Sequence, residues 1–161
     1  EFNLWWLEVL QAYRRALPDL KFIYPGLVLG GTIQQQQQDH ISFMEQSREA
    51  VESADALAVH LHWSTHYPLP TALAALDELL ARFPVTRQTG EALPVYITKA
   101  VNTDPNITPR EQAWQYLQCW HALQTRHRVQ GITFFVASSS DPSLANQVWL
   151  GRGIAAFVGN R

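Results

Sequence analysis

The sequence predicts an α/β fold carried on a parallel sheet, and three observations lead there. Four apolar segments rich in β-branched and aromatic residues begin near positions 21, 55, 94 and 131, about 35 residues apart. Each is followed by apolar residues at helical spacing, so strand and helix alternate along the chain. The strand-like segments are apolar almost without interruption, which suits parallel strands covered on both faces. A complete (β/α)8 barrel takes roughly 250 residues. Four βα units in 161 residues are therefore either a small open sheet or half of such a barrel, with 1–161 read as one domain.

The elements follow in order. Asn3 is placed to cap a helix from Leu4 to Ala16, which Pro18 ends. Phe22 to Leu29 is the first strand, broken at Pro25-Gly26 and closed by Gly30-Gly31, where glycine permits a tight turn. The run Gln34 to Gln38 reads as a solvated loop or the approach to a helix, and one helix is expected over 40–53. ADALAVHLHWS, 55–64, is the second strand, and a third helix covers 70–83 with Leu73, Leu76, Leu80 and Phe83 at helical spacing. PVYIT, 94–98, is the third strand, with Lys99 at its mouth. Thr108-Pro109-Arg110-Glu111 combines a cap, a proline in the first turn and a capping-box glutamate, so a strong helix starts there. Segment 131–140 is the last strand, and a final helix is expected from Pro142 to Val158.

Composition excludes several function classes. The formal net charge is −2 and the basic residues are scattered, which is no footprint for nucleic acid. No apolar run approaches the ~18 residues of a membrane span, so no membrane partner is expected. One cysteine, Cys119, forbids an intrachain disulfide and leaves the compartment open. No cofactor is expected. Six tryptophans and 11% aromatics are rich for 18.3 kDa. The sequence opens on Glu1-Phe2 without an initiator methionine, which is expected of a processed chain or a piece of a longer one.

In either architecture function sits where strands hand over to helices. Strand two ends in His60-Leu61-His62-Trp63, and a period of two puts both histidines on one face. Strand three ends at Thr98-Lys99 with Asn102 beyond, and strand four runs into Ser138-Ser139-Ser140-Asp141. Two imidazoles on one face can serve zinc, but zinc wants a third protein ligand. His66, Asp104 and Asp141 offer no diagnostic spacing for it. Lys99 has a structural reading, as a snorkelling lysine at a strand end. It also has a chemical one, as an amine nucleophile of the lyase or aldolase type.

The ordered set of segments resembles the C-terminal half of the (β/α)8-barrel glycoside hydrolases, the clan of retaining cellulase- and β-glycosidase-like enzymes. Glu1-Phe2-Asn3 is similar to the tail of that family's acid/base motif, and Leu17-Pro18-Asp19-Leu20-Lys21 through Pro25-Gly26 to its strand five. Ala58 to Trp63 resembles strand six, Pro94 to Thr98 strand seven, and Gly131 to Phe135 strand eight. The resemblance implies a half-barrel with a carbohydrate partner, in which Glu1 holds the acid/base position and Lys99 stands where the family has its nucleophilic glutamate. Sugar contacts are then expected from Trp63, His60, His62 and Asn102. A retaining glycosidase needs two carboxyl groups ~5–5.5 Å apart, and a protonated lysine cannot form the glycosyl ester. The expectation is a carbohydrate-interacting relative without retaining hydrolysis, with an interaction module or a lysine-based enzyme as the competing classes. Two bare sheet edges imply a homo-oligomer or pairing with a missing N-terminal half.

Overall fold

The computed structural model describes residues 1–30, 32–33, 38–85 and 90–159. Helix α1 (Phe2–Ala16) leads into strand β1 (Ile23–Val28), and α2 (His40–Gln46) and α3 (Arg48–Ser53) precede β2 (Ala56–Trp63). Then come α4 (Leu69–Arg82), β3 (Val95–Asn102), α5 (Pro109–Leu123), β4 (Val129–Phe134) and, after a 3-10 turn at Pro142–Leu144, α6 (Ile154–Gly159). The four strands form one sheet in the order β1-β2-β3-β4, every pair parallel. The α/β class and the βα alternation expected from the sequence are what the chain adopts.

Sequential order has a consequence for the layers. Same-handed crossovers between neighbouring parallel strands carry every helix to the same side of the sheet. The helix side is dry: Tyr24, Leu57, Val59, Leu61, Val95, Ile97 and Ala100 pack into one core with Leu76 and Leu79 of α4 and Tyr116 and Cys119 of α5. The other face carries no helices and is partly open: Ile23 is 39%, Val28 38% and Tyr96 37% exposed, whereas Val101 on it is 0% exposed. Coverage of both faces, expected from the apolar runs, is therefore corrected. The apolar residues on the second face are there without helices over them.

Local chemistry explains where the helices depart from expectation. Glu1, not Asn3, occupies the position before α1, and no side chain caps it. Asn3 instead accepts the Ala50 N–H at 3.1 Å, tying α1 to α3. The helix expected over 40–53 breaks at Ser47, whose hydroxyl donates to the Phe43 carbonyl at 2.8 Å and meets the Tyr24 hydroxyl at 2.8 Å. The helix expected over 142–158 is reduced to the 3-10 turn and α6, because Gly151 and Gly153 take φ values of 79° and 72° between them. The glutamine run lies outside the described residues except for Gln38, whose backbone pairs antiparallel with Ile33.

α4 carries Leu69, Ala72, Leu73, Leu76 and Leu79 as its buried stripe, and each fully buried leucine contributes about 1.5–3 kcal/mol. Its last turn is held by Arg128, whose guanidinium donates to the carbonyls of Leu80, Phe83 and Leu93 at 2.6, 2.5 and 2.8 Å. The capping box of α5 is complete. Thr108 accepts from the Glu111 N–H at 3.3 Å, and Glu111 accepts from the Thr108 N–H at 3.1 Å. Among the described residues no helix is long and apolar enough to cross a membrane.

Candidate functional site

Strand pairing brings the sequence-predicted polar residues of β2 and β3 together. His60 lies opposite Lys99 and His62 opposite Val101, after a register irregularity that accommodates Thr98 as an extra residue. β3 continues through Ala100, Val101 and Asn102, so Lys99 sits inside the strand and not at its mouth. The period of two holds: the rings of His60 and His62 are 6° from parallel with centroids 6.1 Å apart. All three side chains are partly buried on the face that carries no helices.

Two further residues join them. Phe135, just past β4, donates its N–H to the Ala100 carbonyl at 2.9 Å and lays its ring under Lys99, with Nζ 4.1 Å from the centroid. Gly26 of β1 provides space, since a Cβ there would stand 2.8 Å from His60 Nε2 and 3.3 Å from Thr98 Oγ1. A second close glycine contact lies at the end of β1. Gly30, with φ 71°, lies against the Tyr67 hydroxyl, which arrives from the loop after β2. Phe135 belongs to the segment read as strand eight, but its reach to Lys99 depends on the end of β4. Tyr67 carries no sequence signal beyond a position just after the histidine strand.

The electrostatics keep the imidazoles neutral. Burial pushes the His62 pKa down to about 4, with the Lys99 and His60 charges adding to it. Burial and then Lys99 also lower that of His60. His62 Nε2 is buried and has no hydrogen-bond partner. Among the described residues no ion pair joins Lys99 to a carboxylate; the pairs are those of Arg14 with Asp55, Arg48 with Glu52, Arg82 with Glu45 and Glu78, and Arg126 with Asp77.

The other predicted site residues lie elsewhere. Trp63 is only 2% exposed; its ring packs edge-on against Tyr116, and its indole N–H donates to Gln115 Oε1 at 2.7 Å. That leaves no face of Trp63 open for stacking. Asn102 is equally buried, donating to the same Gln115 oxygen at 2.6 Å and accepting the Asp104 N–H at 2.7 Å, so it shapes the turn after β3. Glu1 is exposed ahead of α1, and no ion pair or hydrogen bond links its carboxylate to Lys99. Among the described residues no group of three or more His, Cys, Asp or Glu side chains is placed to hold a metal ion. Asp104 is engaged instead by Thr65 and Asn106, and Asp141 by Ser143.

Cavities among the described residues lie off the histidine–lysine cluster. One of about 660 Å³ sits between α5 and α6, lined by Trp114, Gln118 and Phe157. Another of about 450 Å³ is lined by Thr65, Asp104 and Gln115. The cluster itself forms a partly buried shelf on the sheet face that carries no helices. The chain matches no protein-family model and no curated protein.

Proposed function

We propose that this chain is half of a (β/α)8 barrel of the glycoside hydrolase-like kind, which contacts carbohydrate on the helix-free sheet face around Lys99 and performs no retaining hydrolysis. The observation that carries the reading is Lys99, which faces His60 across the central strand pair with no ion pair to a carboxylate among the described residues. Sequential strand order, helices on one side and polar groups gathered on the bare side are what half a barrel requires. Imidazoles held neutral can each donate and accept one hydrogen bond, which suits sugar hydroxyls. Phe135 offers an aromatic surface beside them in place of Trp63.

Retaining hydrolysis needs an attacking carboxylate, and the ammonium of Lys99 would oppose the positive charge that develops at the anomeric carbon. Wild-type protein and Lys99→Glu are both expected to leave aryl glycosides uncleaved, since the first lacks the nucleophile and the second still lacks half of the barrel. Oligosaccharides should still bind. Robust hydrolysis by the wild-type chain, unaffected by changes at Lys99, would overturn the reading. The bare edges of β1 and β4 would be closed by a second copy or by a preceding half, so light scattering should show association. A strictly monomeric species over a wide concentration range would instead favour a self-contained open sheet.

A second reading takes Lys99 as an amine nucleophile. Its nitrogen would attack a carbonyl and expel water to form a Schiff base, as in lyases and aldolases. Borohydride trapping with aldehyde and ketone substrates separates the two readings. A stable mass increment at Lys99 supports the second, and its absence supports the first.

A further inference from the structure

The Lys99 shelf has an uncompensated charge. Its described neighbours on the helix-free face are neutral: Ala58 and the buried Val101 on the paired strands, Thr98 beside it in the bulge, and Tyr96 towards the amino end. Phe135 covers one side of the ammonium, and no described carboxylate pairs with it. His62 Nε2 is buried without a partner, so a hydrogen-bonding group is also unmet there. A neutral ligand seated on this shelf would strip water from Lys99 and return no counter-charge, which is costly. A ligand carboxylate would supply both the charge and acceptor oxygens.

Resting on the carbohydrate reading above, we infer that the sugar taken here carries a carboxylate, a uronic-acid unit, with Lys99 as its counter-charge and His60 and His62 bonding its oxygens. Among the described residues one lysine and no arginine lie on the shelf, which suits a single negative charge. A phosphate, with nearly two charges and three acceptor oxygens, is better matched by arginine forks or by several backbone N–H groups. Gly26 lets the His60 imidazole pack directly against the β1 backbone, which fixes the ring beside Lys99.

The test is calorimetric titration of the 161-residue chain with trigalacturonate, its methyl ester, cellotriose and inorganic phosphate. Trigalacturonate should bind at least ten-fold more tightly than cellotriose or the ester. Lys99→Gln should erase that preference with a loss of about ten- to hundred-fold, while Lys99→Arg keeps most of it. The ester removes the ligand charge without touching the protein, so a misfolded variant cannot decide the outcome. Equal binding of acid, ester and cellotriose would overturn the inference and leave the carbohydrate reading standing. Binding of phosphate with no binding of any sugar would overturn both.

Discussion

Gly26→Ala separates what holds the fold from what shapes the shelf. The backbone at Gly26 is not in the positive-φ region, so alanine fits it without strain. Its Cβ, however, would meet His60 Nε2 at 2.8 Å and Cδ2 at 3.0 Å, whereas Thr98 Oγ1 at 3.3 Å is nearly acceptable. Ordinary contact begins near 3.4 Å, so the imidazole must retreat by roughly 0.6 Å. Overpacking in a closed core costs about 1–3 kcal/mol. Here the colliding atoms are the tip of a rotatable side chain on the partly open face, and alanine gains about 0.4–1 kcal/mol by restricting the unfolded chain. The net loss of stability should stay below about 1 kcal/mol. Affinity for sugar should fall further, by roughly five- to ten-fold, because one hydrogen bond of about 1 kcal/mol is misaligned. Urea unfolding gives the first number, calorimetry the second, and the His60 ring signals in NMR report the displacement. Gly30→Ala is the contrast: with φ 71° and the Tyr67 hydroxyl in the way, it should destabilise by several-fold more than Gly26→Ala. Unchanged His60 signals and unchanged affinity in Gly26→Ala would refute the packing argument. So would a stability loss above 3 kcal/mol.

Three other perturbations test separate parts of the account. Thr108→Ala should cost about 1 kcal/mol in urea unfolding through loss of the α5 capping box, with sugar affinity unchanged. Arg128→Ala strands three carbonyls at the junction of α4, β3 and β4, and should lower stability by about 3–5 kcal/mol, with Arg128→Lys restoring only part. His62 is neutral when folded, with a pKa near 4, and ordinary when unfolded, near 6.5. The unfolded chain therefore binds the extra proton first, and the stability present above pH 6.5 is lost progressively as pH falls towards 4. Buried His40 and partly buried His60 act in the same direction, so His62→Gln should flatten the pH dependence of the melting temperature only in part.

Much of this was legible in the residues. Apolar runs and helical stripes marked all four strands and the helices between them, because burial against one core dictates both periods. The α5 start was readable from Thr108, Pro109 and Glu111 because a capping box is a local device. His60 and His62 share a face through the strand period alone. That same period places Trp63, one residue on, towards the helices, and its aromatic character alone made it look like a sugar platform. Asn102 was hidden for another reason. The bulge at Thr98 shifts the register of β3, and three residues of further strand turn Asn102 to the helix side. Segment 142–158 carried apolar residues enough for a helix, but the positive-φ glycines at 151 and 153 govern it. Phe135 reaches the shelf from just past the end of β4, and Tyr67 reaches Gly30 from the loop after β2, paths that no periodicity encodes.

The central claim is that carbohydrate is contacted on the bare sheet face around Lys99. NMR of labelled imidazole and lysine side chains, during titration with neutral and acidic oligosaccharides, tests it most directly. The account predicts saturable shifts at His60, His62 and Lys99, with Trp114 and Phe157 of the α5–α6 cavity unmoved. Shifts confined to that cavity, or none at the three shelf residues at saturating sugar, would contradict it.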